Sequence, residues 1–421
     1  MFKYAENTRV IRNSKIEKSI LLNRENGVWI KIPNIWVNIL EEFLESSDEL
    51  EEYLNRFEDS DNAKTFSSLL DTVINYELVV KVGNEKKGKL HKVQFAISER
   101  CNLFCKHCCY NATVKEKNTD LPLDEIKKIL DKIISCEPES ITLSGGEPLI
   151  RKDFYDILKY LANNYSGEIT LSTNATLIRE KDIPILADII SSFDISLDGF
   201  DETSCEQIRG KGVFQKVVSN IKKMQERGIK NINLSMVDVN HSKVARDKFR
   251  DLNKKLGTRP IIRTLAPIGR ASTMETKIEY LKKMYTPREI TKQETKEICA
   301  GFRGTKCGAY RNQFFVDYNG DIYPCGLLIN KKYKMGNILK MGEEVFPFPN
   351  RSLLAQENLI KLEPDKIKTC KECKVNFFCW GCLQEADMMA EDSELIKAKC
   401  ALQYKHINNI IWGDESSRYE Y

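Results

Sequence analysis

Hydrophobic and polar positions divide the chain into three stretches of different pattern. In the first stretch, residues 1–88, two apolar runs flank a polar turn at 23–26, which predicts a β-hairpin. Apolar side chains then recur at helical spacing and predict three helices, at about 35–44, 47–57 and 61–74. A polar run at 83–88 predicts a linker to the next stretch.

Short apolar runs alternate with amphipathic segments between residues 89 and 290. The runs predict six strands, at 93–98, 141–144, 168–173, 193–198, 231–239 and 261–265. The segments between them predict five helices, at 123–135, 152–163, 183–192, 214–227 and 242–256. Alternating strands and helices predict an α/β fold with a parallel sheet, open or partly closed into a barrel. Functional groups are then expected in the loops after the strands.

The last stretch, residues 291–421, has weak periodicity and is rich in cysteine. It holds eight cysteines, at positions 299, 307, 325, 370, 373, 379, 382 and 400. A segment with little hydrophobic pattern and many thiols is usually held together by metal. We therefore expect this stretch to fold around metal or iron–sulfur centres.

Composition narrows the class of protein. The 421 residues are 42% apolar and 30% charged, which is typical of a globular protein. No apolar run reaches the 18 residues of a membrane span, and no apolar signal core follows Met1, so a cytoplasmic protein is predicted. The formal net charge of +4 is too small to indicate binding to nucleic acid or to a membrane surface.

Cysteine is unusually frequent, with 14 in the chain. In a reducing cytosol, clustered thiols indicate metal or iron–sulfur ligands rather than disulfides. The chain has four histidines, and none is spaced from another as a metal ligand would be. Any metal chemistry is therefore mainly thiolate chemistry, which suits iron–sulfur clusters or zinc.

Three cysteines lie close together just after the first predicted barrel strand. Cys101, Cys105 and Cys108 have the spacing C-x3-C-x2-C. A [4Fe–4S] cluster normally takes four thiolates, so three ligands would leave one iron open for a second molecule. A zinc loop or three incidental cysteines are the alternatives. Cys109 follows directly, and we expect its side chain to point away as a non-ligand.

The second predicted strand ends in Ser144-Gly145-Gly146-Glu147-Pro148. Paired glycines allow close backbone approach, and a carboxylate accepts hydrogen bonds from an ammonium group. Together with the three cysteines and the six β/α units, this motif resembles the radical S-adenosylmethionine (SAM) superfamily. The resemblance implies a partial (β/α)6 TIM-like barrel in which SAM chelates the open iron. Reductive cleavage of SAM would give a 5′-deoxyadenosyl radical that removes a hydrogen atom from the substrate.

The resemblance also implies residues that contact SAM. Those expected near its amino group are Gly145, Gly146 and Glu147. Those expected near the ribose are Ser172 and Asn174, and those near the carboxylate are Ser196 and Arg209. For Arg209 a solvated surface position is an equal alternative.

The C-terminal cysteines resemble the SPASM extension of this superfamily. Its pattern is C-x(9–15)-G-x4-C, a gap, C-x2-C-x5-C-x3-C, a gap and a last cysteine. This chain departs from it once, because two residues and not three separate Cys379 from Cys382. The resemblance implies two auxiliary [4Fe–4S] clusters, for a total of three. One would be held by Cys299, Cys307, Cys325 and Cys382, and the other by Cys370, Cys373, Cys379 and Cys400. A zinc ribbon is the alternative.

The predicted hairpin and three helices of residues 1–88 resemble the winged-helix recognition element of peptide-maturation enzymes. Such an element binds the leader of a ribosomally made precursor by adding it as a strand. A DNA-binding winged helix is disfavoured, because residues 1–90 carry 13 basic and 16 acidic side chains. A purely structural cap is the remaining alternative.

These patterns predict three domains: a winged-helix-like α+β leader-recognition domain (1–88), a radical SAM partial barrel (89–290) and a SPASM iron–sulfur domain (291–421). The resemblance implies a peptide maturase of the sactipeptide and ranthipeptide type, which joins a precursor cysteine sulfur to a carbon by a thioether. A flavodoxin or ferredoxin would donate electrons. The alternatives are a carbon–carbon crosslink, maturation of a sulfatase, or a non-catalytic zinc adaptor or regulator.

Three further features have no predicted role in this chemistry. Cys136 is expected to be a small buried side chain, and Cys205 is near enough to the fourth strand to reach the cavity. The loop at 266–271 is expected to be an ordinary turn after the last strand.

Overall fold

The computed structural model describes residues 1–83, 89–113, 120–239, 242–274, 279, 282, 304, 307–342, 353–389 and 392–413. The chain divides into two compact units. One contains Met1–Lys87, Tyr285–Cys307 and Lys361–Tyr421, and the other contains Gly88–Met284 and Gly308–Ile360. Within the described residues, no helix combines the length and apolar character needed to span a bilayer.

A parallel barrel-like sheet forms the centre of the second unit. Its six strands are β6 (Lys92–Ser98), β7 (Ser140–Gly145), β8 (Glu168–Thr173), β9 (Ser192–Ser196), β10 (Ile232–Asp238) and β11 (Arg259–Thr264). Each strand pairs in parallel with the next one along the chain. This is the partial barrel that the sequence predicts.

Helices follow the strands and cover the sheet. They are α4 (Leu123–Ile134), α5 (Phe154–Asn164), α6 (Ile183–Ile189), α7 (Glu202–Arg209), α8 (Val213–Glu226) and α9 (Lys243–Leu256). The sequence pattern missed α7, because its eight residues carry one buried apolar side chain, Cys205, and give no periodic signal. The predicted helix at 183–192 ends earlier, at Ile189, where the backbone turns to extended geometry.

Alternation along the strands separates the core from the lumen. Leu171, Ile195 and Leu234 belong to the hydrophobic core, whereas the neighbouring Ser172 and Ser196 line a cavity. Since successive side chains of a strand point to opposite faces, the apolar set packs on the helices and the polar set faces inward.

Three more strands extend the sheet beyond β6. Strand β12 (Gln313–Val316) pairs in parallel with β6, and β13 (Asp321–Tyr323) and β14 (Gly336–Asn337) follow in antiparallel pairs. The nine-stranded order is β11-β10-β9-β8-β7-β6-β12-β13-β14. The helix α10 (Leu353–Lys361) begins after this extension.

The N-terminal segment forms a small α+β structure in the first unit. Its three-stranded antiparallel sheet is made of β2 (Thr8–Asn13), β3 (Lys18–Asn23) and β4 (Trp29–Pro33). Three helices follow, α1 (Asn34–Glu45), α2 (Leu50–Leu54) and α3 (Ser60–Asn75), and β1 (Phe2–Tyr4) pairs with β5 (Val79–Lys81). The sequence predicts β3, β4 and the three helices but not β1 and β2. The winged-helix likeness of this segment stays a prediction.

The C-terminal segment of the same unit packs against this sheet. It contains α11 (Asn376–Cys379), α12 (Leu383–Met389) and the 20-residue α13 (Ser393–Trp412). A common hydrophobic cluster joins the two segments; its members include Ile20, Trp29, Phe378 and Ile410. The ring centroids of Trp29 and Phe378 lie 5.6 Å apart. The three-domain division predicted from sequence stays a proposal.

Candidate functional site

A cavity of about 190 Å³ opens at the carboxyl ends of the barrel strands. Its wall comes from the loop after β6 and from the ends of the other strands. The lining residues include Cys101, Cys105, Cys108, Gly145, Gly146, Ser172, Asn174, Ser196, Asp198, Arg209, Arg263 and Arg270. All but one of the residues predicted from the resemblance to contact SAM therefore line one cavity.

The three-cysteine loop brings its thiols to this cavity with their backbone tied down. Cys101 and Cys105 are each 7% exposed. The Cys101 N–H donates to the Thr113 carbonyl at 3.2 Å, and the Cys108 N–H donates to the Cys105 carbonyl at 3.3 Å. Burial raises the pKa of the Cys101 thiol to about 11. A thiolate here therefore needs positive charge or a metal beside it.

Hydrogen-bond donors point at two of these sulfur atoms. The Arg209 guanidinium lies 3.7 Å from Cys105 Sγ, and the Asn174 amide lies 3.8 Å from Cys101 Sγ. Within the described residues, no three His, Cys, Asp or Glu side chains converge closely enough to hold a single metal ion. Thiols with cationic and amide donors around them fit an anionic iron–sulfur cluster.

Gly145 and Gly146 are required by close backbone packing. A Cβ at Gly145 would lie 2.2 Å from the Ser98 carbonyl oxygen, and one at Gly146 would lie 2.2 Å from that of Arg100. Gly145 also has a φ of +133°. Arg100 directly precedes the first cysteine. The two glycines therefore allow the end of β7 to pack closely against the backbone at the start of the cysteine loop.

Glu147 is fully buried and does not line the cavity. Its carboxylate accepts from the Leu149 N–H at 3.1 Å, the Thr173 hydroxyl at 2.7 Å and the Asn174 N–H at 2.7 Å. Burial raises the pKa of this carboxyl, against the lowering effect of these hydrogen bonds. Glu147 thus fixes the turn that presents Asn174, and its predicted contact with the SAM amino group stays a prediction.

Asp198 links two other residues of the wall. Its Oδ2 lies 2.7 Å from His107 Nε2 and 2.5 Å from Arg209 Nη2. Burial favours the neutral acid, but Arg209, His107 and the Val237 N–H outweigh it and lower the pKa of Asp198 well below its usual range. The side chain of Arg209 is 9% exposed, so the alternative of a solvated surface arginine is wrong.

The loop after β11 is hydrogen-bonded to the cysteine loop. Arg270 donates through Nε to the Cys105 carbonyl at 2.9 Å and through Nη1 to the Ala112 carbonyl at 2.8 Å. Its backbone N–H donates to the Cys108 carbonyl at 3.0 Å. The expectation of an ordinary turn at 266–271 is therefore wrong, because this loop braces the candidate ligands.

A second, smaller cavity lies in the first unit. It measures about 50 Å³, and its lining includes the thiol-bearing residues Cys370, Cys373, Cys379 and Cys400 together with Trp380 and Lys399. These are the four cysteines that the resemblance assigns to one auxiliary cluster. The indole N–H of Trp380 donates to Cys370 Sγ at 3.4 Å. Four thiols in one wall, with a hydrogen-bond donor to one sulfur, fit a cluster of the [4Fe–4S] type.

The other predicted auxiliary set lies partly outside the described residues. Cys299 lies outside them. Cys307, Cys325 and Cys382 are half-buried, and Cys307 and Cys325 fall in different compact units. Ligation by this set stays a prediction.

The remaining cysteines have mostly structural surroundings. Cys205 is fully buried in the barrel core, and its thiol donates to the Leu197 carbonyl at 3.1 Å, so it does not line the cavity. Cys136 is half-buried against the same core. Cys109 lines the cavity beside the three predicted ligands.

Sequence reasoning missed Asp198, Arg270 and Lys399. Asp198 lies two residues after the predicted contact Ser196, and its non-glycine backbone has a φ of +56°, which the sequence does not reveal. Arg270 and Lys399 are held by contacts with other segments of the chain, and no local pattern marks them.

Two family profiles match the chain. Residues 95–248 match the Radical SAM superfamily, and residues 307–374 match the SPASM iron–sulfur cluster-binding domain. The chain therefore contains a radical SAM domain followed by a SPASM domain, and the partial barrel is the radical SAM fold.

Two curated relatives cover much of the chain. The mycofactocin maturase MftC of Mycolicibacterium smegmatis is 26% identical over 290 residues, which are 65% of this chain and 72% of the relative. The AdoMet-dependent heme synthase of Nitratidesulfovibrio vulgaris is 24% identical over 346 residues, which are 73% of this chain and 91% of that relative.

Solved structures of Streptococcus suis SuiB are similar in fold. The structure bound to S-adenosylmethionine has a TM-score of 0.55 at 17% identity, and the one bound to the precursor peptide SuiA has 0.55 at 18%. Each match covers 93% of this chain and 98% of the SuiB chain. At this identity the likeness shows the fold alone.

Proposed function

We propose that this protein is a radical SAM peptide maturase that forms a thioether in a ribosomally made precursor peptide. The observation that carries the proposal is the shared cavity, which collects three thiols, a buried arginine and the polar strand-end residues at one opening of the barrel. Cys101, Cys105 and Cys108 would hold a [4Fe–4S] cluster. Bound there, cluster and SAM supply the one-electron chemistry that removes a hydrogen atom from an unactivated carbon.

The chain's own residues bind and orient the cofactor in this proposal. Gly145, Gly146, Ser172, Asn174 and Ser196 form the polar wall against which SAM would lie. Arg209 is held in place by Asp198 and offers its guanidinium to an anionic group. Gly145 and Gly146 keep the cysteine loop close to this wall.

The peptide substrate is supported by relatives and by the N-terminal fold. MftC is named as a maturase, and SuiB has been solved with the precursor peptide SuiA. The N-terminal sheet of this chain has three antiparallel strands, so it offers edges that could accept a leader as a further strand. We propose that residues 1–88 bind the leader, residues 89–290 the reacting segment and residues 291–421 two auxiliary clusters.

Thioether formation fits a chain with additional electron acceptors. A thiol and an acceptor C–H together lose two hydrogens when the C–S bond forms. One leaves as the hydrogen atom taken by the SAM-derived group, and the other leaves as a proton while one electron passes to the protein. The four-thiol cavity would hold a cluster able to accept that electron. We propose the reducing cytoplasm as the compartment and a flavodoxin or ferredoxin as the electron donor.

Cleavage of SAM by anaerobically reconstituted protein tests the first step. With dithionite, the protein should release 5′-deoxyadenosine and contain about twelve irons in three four-iron clusters. Replacing Cys101, Cys105 and Cys108 by alanine should remove about four irons and abolish 5′-deoxyadenosine. The control Cys136→Ala should keep both, because Cys136 lies outside the cavity. Unchanged cleavage in the triple variant would reject the site.

Incubation with the precursor peptide tests the product. A thioether lowers the peptide mass by two hydrogens per bond and removes one alkylatable thiol. A carbon–carbon crosslink lowers the mass equally but leaves the thiol free. Conversion of a porphyrin with no change in the peptide would contradict the proposal and would instead indicate an activity like that of the heme-synthase relative.

A further inference from the structure

A buried ion pair stands beside the four-thiol cavity. Lys399 is 0% exposed, and its ammonium lies 2.8 Å from the Glu385 carboxylate, which belongs to a residue that is 7% exposed. Lys399 comes from α13 and directly precedes Cys400, whereas Glu385 comes from α12. Burying two charges costs several kcal/mol per ion before their attraction repays it, so an apolar pair would often serve stability as well. Stability alone therefore does not account for this ion pair, and we looked for a function of its charge.

The ammonium is directed toward the cavity wall as well as toward Glu385. It lies 4.6 Å from the centroid of the Trp380 ring, and Lys399 itself lines the cavity. The same indole donates its N–H to Cys370 Sγ. One cation and one hydrogen-bond donor therefore lie in the wall of this thiol cavity.

The charge of Lys399 lies close to the thiols of this cavity. Lys399 is in the cavity wall together with all four cysteines and directly precedes Cys400 on α13. A buried ammonium in this position favours negative charge on the neighbouring sulfur atoms.

We propose that Lys399 and Trp380 are positioning residues that raise the reduction potential of the auxiliary cluster held by Cys370, Cys373, Cys379 and Cys400. This inference rests on the proposed binding of a cluster there. Reduction adds one electron and so one negative charge to the cluster. A buried cation and an N–H donor to a ligand sulfur stabilise the reduced form more than the oxidised form.

A raised reduction potential makes this cluster an electron acceptor. The step that closes a thioether releases one electron, which must pass to an acceptor. A cluster whose reduced form is stabilised by Lys399 and Trp380 accepts that electron more readily than one surrounded by apolar side chains. The cavity then serves as an electron acceptor, with the external reductant needed only at the SAM-binding cluster.

Potentiometric titration tests the proposal. It is best performed in full-length protein with Cys101, Cys105 and Cys108 replaced by alanine, so that only auxiliary clusters contribute to the electron paramagnetic resonance signal. In this background Lys399→Met should lower the midpoint potential of one auxiliary cluster. At the original midpoint potential, the reduced-to-oxidised ratio should fall about tenfold, which is ~59 mV for a one-electron couple.

Two further variants separate the two contributions. Trp380→Phe removes the N–H donor and keeps the ring, and should lower the potential in the same direction by a smaller amount. Lys397→Met removes a charge from the same helix, but the Lys397 side chain is 67% exposed and paired with Glu394, so the potential should stay unchanged.

The iron content distinguishes failure of this proposal from failure of the proposed function. If Lys399→Met and Trp380→Phe both keep the iron and both titrate at the unchanged potential, the tuning role is overturned and cluster binding stands. If the protein with native Lys399 and Trp380 carries no auxiliary iron, the proposed cluster is wrong and the inference falls with it. If Lys399→Met does not fold, Trp380→Phe decides the question by itself.

Discussion

Asp198 shows how one carboxylate can organise a whole site. It holds His107 and Arg209 on the same oxygen, and its other oxygen accepts the Val237 N–H at 2.5 Å. It connects the cysteine loop, α7 and β10, and Arg209 in turn reaches Cys105 Sγ. The residue does this in the left-handed region, with a φ of +56°, which carries a backbone cost of about 1–3 kcal/mol.

Replacement of Asp198 by asparagine leaves the Arg209 charge buried without its counter-ion. We expect Asp198→Asn to lower the free energy of unfolding of the apo-protein by about 3–5 kcal/mol at pH 7. Asp247→Asn is the control, since Asp247 and Arg250 form an exposed pair and its loss should change stability by less than about 0.5 kcal/mol. Urea unfolding followed by circular dichroism measures both, and equal effects would contradict the expectation.

The effect of Asp198→Asn on the free energy of unfolding depends on pH, and the sign of this dependence follows from the pKa of Asp198. Asp198 has a lowered pKa in the folded protein, so its contribution to stability is fully present above the unfolded value of about 3.9. Below that pH the unfolded chain takes up a proton that the folded chain does not, and the contribution falls by about 1.4 kcal/mol per pH unit. The stability difference between the native protein and Asp198→Asn should therefore shrink on acidification below about pH 4 in the apo-protein. A constant difference would refute the assignment.

Among the elements, the three-cysteine loop is fixed mainly by its neighbours. It has few internal hydrogen bonds, and several neighbouring segments supply others. The Glu147 N–H at the end of β7 donates to the Arg100 carbonyl, the Lys106 N–H of the loop donates to the Ile208 carbonyl of α7, and Arg270 approaches from the loop after β11. The loop is thus positioned by the order of strands in the barrel.

Arg270→Lys tests the bracing of that loop. Lysine keeps the charge but cannot donate to the Cys105 and Ala112 carbonyls in fixed fork geometry. We expect stability to fall by about 2–4 kcal/mol, from two charge-assisted hydrogen bonds, and the rate of 5′-deoxyadenosine formation to fall at least tenfold.

Arg250→Lys is the matched control for that change, because Arg250 lies on the exposed face of α9 and pairs with Asp247 at 2.8 Å. Equal loss of rate in both variants would show that Arg270 does not position the loop.

At the scale of the whole molecule, the two ends of the chain share one compact unit. The N-terminal strands contribute Arg24 and Lys31 to buried contacts with the C-terminal segment. Arg24 donates to the Phe377 carbonyl at 2.9 Å, and Lys31 donates to the Gly413 carbonyl at 2.9 Å. Phe377 lies between two candidate ligands, Cys373 and Cys379, so the N-terminal fold supports the wall of the second cavity.

Arg24→Met should therefore loosen that wall. Arg24 is 3% exposed, packs on the Phe377 ring at 4.8 Å and lies 3.8 Å from Glu363. Hydrogen–deuterium exchange should increase in residues 375–379, and auxiliary iron content should fall, because an opened segment no longer presents its thiols together.

Arg9→Met provides the comparison for this variant. Arg9 donates to the carbonyls of Glu6 and Thr8, within its own N-terminal segment. Its loss should leave exchange at 375–379 unchanged. An unchanged exchange pattern in Arg24→Met as well would show that the two segments pack independently of this contact.

The sequence predicted the barrel well because its signals are local. Strand β8 was predicted with its observed bounds, Glu168–Thr173, since alternating apolar and polar positions mark a strand with one face in a core. Strand β2 was missed, although its apolar residues Val10 and Ile11 are present, because its partner β3 and not its own pattern makes it a strand. Helix α7 was missed because its one buried side chain, Cys205, gives no periodic signal.

Local sequence determined the radical SAM and SPASM domains of this protein and its candidate ligands, through the cysteine spacings, the paired glycines and the alternation of strands and helices, because each is a pattern within a few residues. Only the tertiary structure decided that Arg209 is buried against Asp198, that Arg270 grips the cysteine loop, and that Lys399 and Trp380 face four thiols. These contacts join different segments of the chain. Their energy depends on how deeply the charged groups are buried, and the local sequence does not reveal that burial.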